Sequence, residues 1–123
     1  VCMLNNSADE IMYTDNPSNG NNWTLVTNLS NGNDIAMKGF VITWGNNVWM
    51  AAGTAGGTLI RSTDGAAWAE IDVSGATNIN ANKPIYALIS DGAGNWWFAQ
   101  ENRIYKSTND GAAFSLHHTC GPL

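Results

Sequence analysis

Residues 104–114 read Ile104-Tyr105-Lys106-Ser107-Thr108-Asn109-Asp110-Gly111-Ala112-Ala113-Phe114, and residues 60–68 read Ile60-Arg61-Ser62-Thr63-Asp64-Gly65-Ala66-Ala67-Trp68. Both consist of an apolar start, a Ser-Thr pair, an acidic or amide residue, a glycine and an aromatic. A looser copy runs from Ile11-Met12-Tyr13-Thr14-Asp15 through a longer turn to Gly20-Asn21-Asn22-Trp23. The aromatics Trp23, Trp68 and Phe114 stand 45 and 46 positions apart. A second landmark keeps step with the first: Trp44-Gly45-Asn46-Asn47-Val48-Trp49-Met50-Ala51 against Asp91-Gly92-Ala93-Gly94-Asn95-Trp96-Trp97-Phe98-Ala99. Two unrelated features holding one spacing define an internal repeat of roughly 45 residues.

Within each period the apolar runs are short, rich in β-branched and aromatic residues, and separated by Gly and Asn. That pattern predicts strands and hairpins, and no 3.6-residue periodicity runs long enough for a helix. First strands are expected at Phe40–Trp44 and Ile85–Ser90, and second strands at Val48–Ala52 and Trp96–Gln100. Third strands follow at Leu59–Ser62 and Arg103–Ser107, and fourth strands at Trp68–Val73 and Phe114–His118. The opening segment supplies Cys2–Leu4, Ile11–Thr14 and Trp23–Thr27. Asn19-Gly20, Asn31-Gly32 and Asp64-Gly65 are turn residues that reach positive φ cheaply.

Four antiparallel strands in about 45 residues, repeated in tandem, predict an all-β fold of β-propeller-like blades. The expected division is a single unit over 1–123: a partial blade at 1–30, a blade at 35–75 and another at 80–120. Stacked blades bury both faces of a sheet, which accounts for runs such as Trp96-Trp97-Phe98. A β-sandwich of about eleven strands would hold the same hairpins but gives no reason for the repeat.

Composition narrows the function classes. The chain is 44% hydrophobic, enough to fold, yet only 12% charged, with Asn at 17 of its 123 positions. Five basic against ten acidic residues leave a net charge of −5, which argues against a nucleic-acid partner, since binding a phosphate backbone needs clustered Lys and Arg. No stretch approaches the roughly 18 apolar residues that cross a bilayer as a helix, so no membrane insertion is expected. No leader pattern precedes the repeats, and a start at Val1 is expected of a processed product or a piece of something longer. Two cysteines, Cys2 and Cys120, exclude a disulfide-dense mini-domain and a cysteine-rich zinc site.

Ser107-Thr108-Asn109-Asp110-Gly111-Ala112-Ala113-Phe114 resembles the Asp-box, the S-x-D-x-G-x-x-W/F hairpin of sialidase-type (BNR-repeat) propellers, with Asn109 at the Asp position. Ser62 through Asp64 and Gly65 to Trp68 resembles a form one residue shorter. Asp15 through Gly20 to Trp23 resembles a copy with a lengthened turn. The resemblance implies that these residues lock turns: a short carboxylate or amide accepts backbone N–H bonds across its own turn, glycine takes a φ barred to side chains, and the aromatic plugs the gap behind the hairpin. It also implies that the boxes lie on an outer rim, remote from an axial ligand pocket.

No catalytic or metal-binding residues are expected. A sialidase-like site needs three converging arginines, whereas this chain has Arg61 and Arg103 at equivalent repeat positions. Glu70 and Asp72 fall on one outer strand, where acidic residues discourage sheet-to-sheet pairing. His117 and His118 are adjacent and would point to opposite faces of a strand, which prevents chelation. Three glycosylation sequons, at Asn5, Asn22 and Asn28, are what this composition yields by chance. Trp44, on a first strand that would line the axis, is a candidate sugar-stacking platform as well as a candidate for packing between blades. No phosphate-cradling glycine loop and no cofactor are expected.

Propellers close with about four to eight blades, so two and three-quarter blades form an incomplete ring with bare faces. The expected partners are copies of the chain itself, or another protein, completing the propeller, with a surface glycan as a further ligand. Asn-, Gly- and Thr-rich, Lys-poor repeats of this kind resemble those of phage virion and tail proteins and of secreted bacterial surface proteins. The resemblance implies a non-catalytic structural or adhesive module, located in a virion or outside the cell. The alternative is a fragment of a secreted, glycan-processing propeller whose catalytic residues lie elsewhere. A photosynthetic assembly factor, whose propellers share this repeat, would call for a basic patch that the scattered Lys and Arg do not supply.

Overall fold

A computed structural model describes residues 2–5, 10–18, 20, 22–35, 39–53, 58–73 and 75–122. They form eleven strands and no helix: β1 Cys2–Asn5, β2 Glu10–Tyr13, β3 Thr24–Val26, β4 Gly39–Gly45, β5 Val48–Gly53, β6 Leu59–Ser62, β7 Ala69–Glu70, β8 Ala87–Ser90, β9 Trp96–Gln100, β10 Arg103–Ser107 and β11 Ser115–Thr119. Every pairing is antiparallel and joins strands that follow one another in the chain. The sheets run β1-β2-β3, β4-β5-β6-β7 and β8-β9-β10-β11. None closes into a barrel, and the fold is an incomplete, propeller-like set of blades, as the repeat predicts. The predicted Asn19-Gly20 turn lies partly outside the described residues, and residues 54–57 lie wholly outside them.

Hairpin chemistry fixes the registers. Asn46 and Asn47, at φ 49° and 60°, form the two-residue turn between β4 and β5, a geometry that asparagine tolerates better than other side chains. The outer strands β3 and β7 are shorter than the sequence suggests: β7 holds only Ala69 and Glu70, although the Ile71 amide still donates to the Leu59 carbonyl at 2.8 Å. The inner strand β8 begins at Ala87 rather than Ile85, because the Ile85 amide turns to the Gly53 carbonyl, although the Tyr86 amide still donates to the Ala99 carbonyl at 3.0 Å.

Two apolar clusters lie between the sheets. Between the first and second sheets pack Cys2, Ile11, Ala51, Ile60 and Trp68, joined by Leu29 and Ile35 from the connection. Between the second and third pack Met50, Ala52, Leu59, Leu88, Trp96, Phe98, Tyr105 and Phe114, among others. Phe98 stacks on Tyr105 with centroids 4.7 Å apart and meets Phe114 edge-on at 4.9 Å, geometries that aromatic quadrupoles favour. The second sheet is therefore buried on both faces. The outer faces of the first and third sheets have no neighbour within the described residues.

Candidate functional site

The turns of the second and third sheets share one hydrogen-bonding plan, and the first sheet's turn keeps part of it. In the second sheet Ser62 Oγ donates to Asp64 Oδ1 at 3.0 Å and accepts the Gly65 amide at 2.8 Å. Asp64 Oδ1 accepts the Ala66 and Ala67 amides at 2.9 and 2.8 Å. These bonds hold the Asp64 carboxyl below the ordinary carboxylate range, with the Ala67 amide the largest contributor. Gly65 takes φ +82°, and the fully buried Trp68 indole donates back to the Gly65 carbonyl at 2.7 Å. The third sheet repeats the plan with an amide: Ser107 Oγ donates to Asn109 Oδ1 at 2.7 Å, the Gly111 amide returns to Ser107 Oγ, and the Ala113 amide reaches Asn109 Oδ1.

In the first sheet the plan falls one residue later than the sequence spacing predicts. Thr14 occupies the serine position, directly after Tyr13, which pairs with Cys2 as Arg61 pairs with Met50. The Asn16 amide donates to Thr14 Oγ1 at 3.1 Å, and Asn16 Oδ1 accepts from Ser18 Oγ. Asn16, two positions after the hydroxyl residue, is thus the turn acceptor, and Asp15 is exposed beside it. Gly20 has open space where its Cβ would sit and no positive φ, unlike Gly65 and Gly111.

Those two glycines are where neighbouring sheets meet. A Cβ on Gly111 would collide with the Met50 methyl, and one on Gly65 would lie 2.7 Å from Cys2 Sγ. By register Cys2, Met50 and Trp97 are equivalent, each lying opposite the residue before the turn hydroxyl. A second-strand side chain of one sheet therefore wedges against the turn glycine of the next. Burial among these groups pushes the Cys2 thiol up to about 11. Between the second and third sheets Asn46 Nδ2 donates to Asp110 Oδ1 at 2.5 Å, while within the third the Asp110 amide donates to the Gly94 carbonyl. Thr43 Oγ1 adds a bond to the Leu88 carbonyl at 2.9 Å.

Trp44 is 47% exposed at the end of β4, opposite Trp49, with ring centroids 4.8 Å apart and planes tilted by 49°. The two indoles form a ledge beside the Asn46-Asn47 turn. The third sheet's outer face carries a shallow apolar pocket lined by Ala87, Ile89, Trp97, Ala99 and Ile104. Lys106 Nζ lies 5.2 Å from the centroid of the Trp97 ring.

The remaining charged candidates stay apart. Arg61 and Arg103 lie on different sheets and, contrary to the expectation, at different register positions: Arg61, opposite Met50, matches Lys106, opposite Trp97, whereas Arg103 lies opposite Gln100 and pairs with Glu101 at 3.2 Å. Glu70 is exposed on β7, while Asp72 lies past the end of that strand. His117 is the extra residue of a bulge, since Tyr105 pairs with Leu116 and Ile104 with His118, and both histidines are exposed. Among the described residues no group of three His, Cys, Asp or Glu is placed to hold a metal ion. Both cysteines are free thiols.

Gln100 and Tyr105 carry structural roles that the sequence does not announce. The buried Gln100 amide donates to the Asn80 and Lys83 carbonyls and accepts the Asn80 amide, which pins the connection between the second and third sheets. Tyr105 Oη reaches the Thr77 carbonyl in the same connection. Comparison with protein-family models, with curated proteins and with solved structures gives no match.

Proposed function

We propose that this chain is a non-catalytic structural or adhesive module of the Asp-box propeller class, acting through assembly of its sheets with further blades and through glycan contact. The observation that carries the reading is the wedge repeated at both internal junctions, Cys2 against Gly65 and Met50 against Gly111. A chain that spends its polar residues on locking turns, and its apolar ones on sheet-to-sheet faces, is built to stack. Low charge and dense turns suit a rigid component of a virion, a phage tail or a bacterial surface. The tilted Trp44–Trp49 pair supplies the glycan contact: an exposed indole offers a flat apolar face to the C–H face of a pyranose.

A glycan array combined with assays on fluorogenic glycosides tests the proposal. Binding without turnover, weakened at least tenfold by Trp44→Ala, is the expected result. Release of sugar by the chain at rates above the uncatalysed reaction would overturn it.

A further inference from the structure

The wedge has three copies and so do the turns, but they are offset by one sheet. Cys2 meets the second sheet's turn and Met50 meets the third's. Among the described residues Trp97, their register equivalent, projects from the third sheet with no turn to meet, and nothing lies within 4 Å of a Cβ built on Gly20 in the first sheet's turn. Sizes follow the same order. The smallest wedge, Cys2, faces the turn with five residues between Ser62 and Trp68; Met50 faces the turn with six between Ser107 and Phe114. The unfilled first turn is the longest, with eight between Thr14 and Trp23, and the unused wedge is the largest side chain, tryptophan.

The surroundings of both leftovers match the buried junctions. Ala87, Ile89, Ala99 and Ile104 stand at the register positions of Val41, Thr43, Ala52 and Leu59, which face the third sheet from the second. Ala52 and Leu59 are buried, whereas Ile89 is 59% exposed. On the first sheet, Trp23 holds the place of the fully buried Trp68 yet is only half-buried, and Leu25 beside it is 48% exposed.

We infer that the third sheet's outer face docks on the first sheet of a second copy of this chain, with Trp97 seated against the Thr14–Trp23 turn. This deepens the assembly reading above and rests on it. The count of sheets sets the stoichiometry. Two copies supply six blades, within the four to eight that close a propeller, while three supply nine. Head-to-tail contacts close only when the rotations complete a turn, so a ring built from these three sheets alone is a two-chain ring with two equivalent junctions.

Sedimentation equilibrium of the unmodified chain decides the matter, with Ile89→Asp and Leu25→Asp as variants at exposed positions on the two mating faces. A mass of twice 13.1 kDa is expected, with each variant raising the dimer dissociation constant at least tenfold. Mixing the variants restores one unaltered junction, so the mixture should dimerise more tightly than either variant alone. A monomer at every concentration would overturn the pairing, as would a trimer or a dimer indifferent to Leu25→Asp. The mass of the unmodified chain decides even where a variant fails to fold. A monomer that still binds glycan without turnover would sink the two-chain ring and leave the adhesive reading standing, whereas sugar release would sink that reading first.

Discussion

The methyl group of Met50 fills the space that a side chain on Gly111 would need, so a residue in the second sheet dictates what the third sheet's turn can be. Gly111 also sits at φ +74°, a conformation L-residues adopt at a cost.

Gly111→Ala therefore meets two penalties, overpacking and backbone strain, and should destabilise the chain by about 3 kcal/mol. Gly92 is the internal control. Its φ is +76° but a Cβ there meets nothing within 4 Å, so Gly92→Ala should cost only about 1 kcal/mol. Urea unfolding followed by tryptophan fluorescence measures both. Equal losses would mean that the Met50 contact contributes nothing.

Asp64 and Asn109 do the same work with different chemistry. Asp64→Asn should stay within about 1 kcal/mol of the parent at pH 7, because the third sheet already uses an amide there. Asp64→Ala removes the acceptor and should cost about 1 kcal/mol or more, an amount kept small by the residue's exposure.

Stability should fall in acid. The Asp64 carboxyl is lowered in the fold mainly by the Ala67 amide, and that of Asp91 mainly by the Asn95 side chain. A lowered carboxylate stabilises the fold fully above its unfolded value of about 4, and the contribution disappears as pH drops through the folded value. The Asp64→Asn variant should show a shallower loss as pH falls below about 4. Parallel pH profiles for parent and variant would contradict the turn-lock account.

Cys2 and Cys120 should alkylate at very different rates. Cys120 is exposed, while the Cys2 thiol is buried and raised to about 11. At pH 8 iodoacetamide should label Cys120 promptly and Cys2 only as the first junction opens. A raised thiol favours the neutral form, so its contribution is complete below about pH 8.5 and fades as pH climbs toward 11. Mass spectrometry of peptides over a time course reads the two sites separately.

Much of the blade architecture was legible because strand and turn signals are local. The bounds of β6, β9 and β10 match their sequence-based expectations residue for residue. What escaped depends on partners far away in the chain. The wedge of Met50 against Gly111 spans sixty residues, and nothing local distinguishes Met50 from other apolar strand residues. Gln100 looks like an ordinary strand end, and only its bonds to Asn80 and Lys83 reveal an anchor. The shift from Asp15 to Asn16 arose because the sequence offers both side chains in succession, and the strand register decides between them.

Gln100→Ala should consequently loosen the connection rather than the sheet. Three hydrogen bonds to the buried amide are lost, with a cost of about 2–3 kcal/mol. Hydrogen exchange at the Asn80 amide should accelerate before that of β9 does.

Everything proposed for this chain depends on sheets being held flank to flank by a side chain seated in the next sheet's turn. A double-mutant cycle on Met50→Ala and Gly111→Ala, read by equilibrium unfolding, probes that seat. Shortening Met50 vacates the space, so the paired variant should lose at least about 1 kcal/mol less than the two single losses combined. Strictly additive losses would show that the two side-chain positions do not touch, and the stacking account would fail with them.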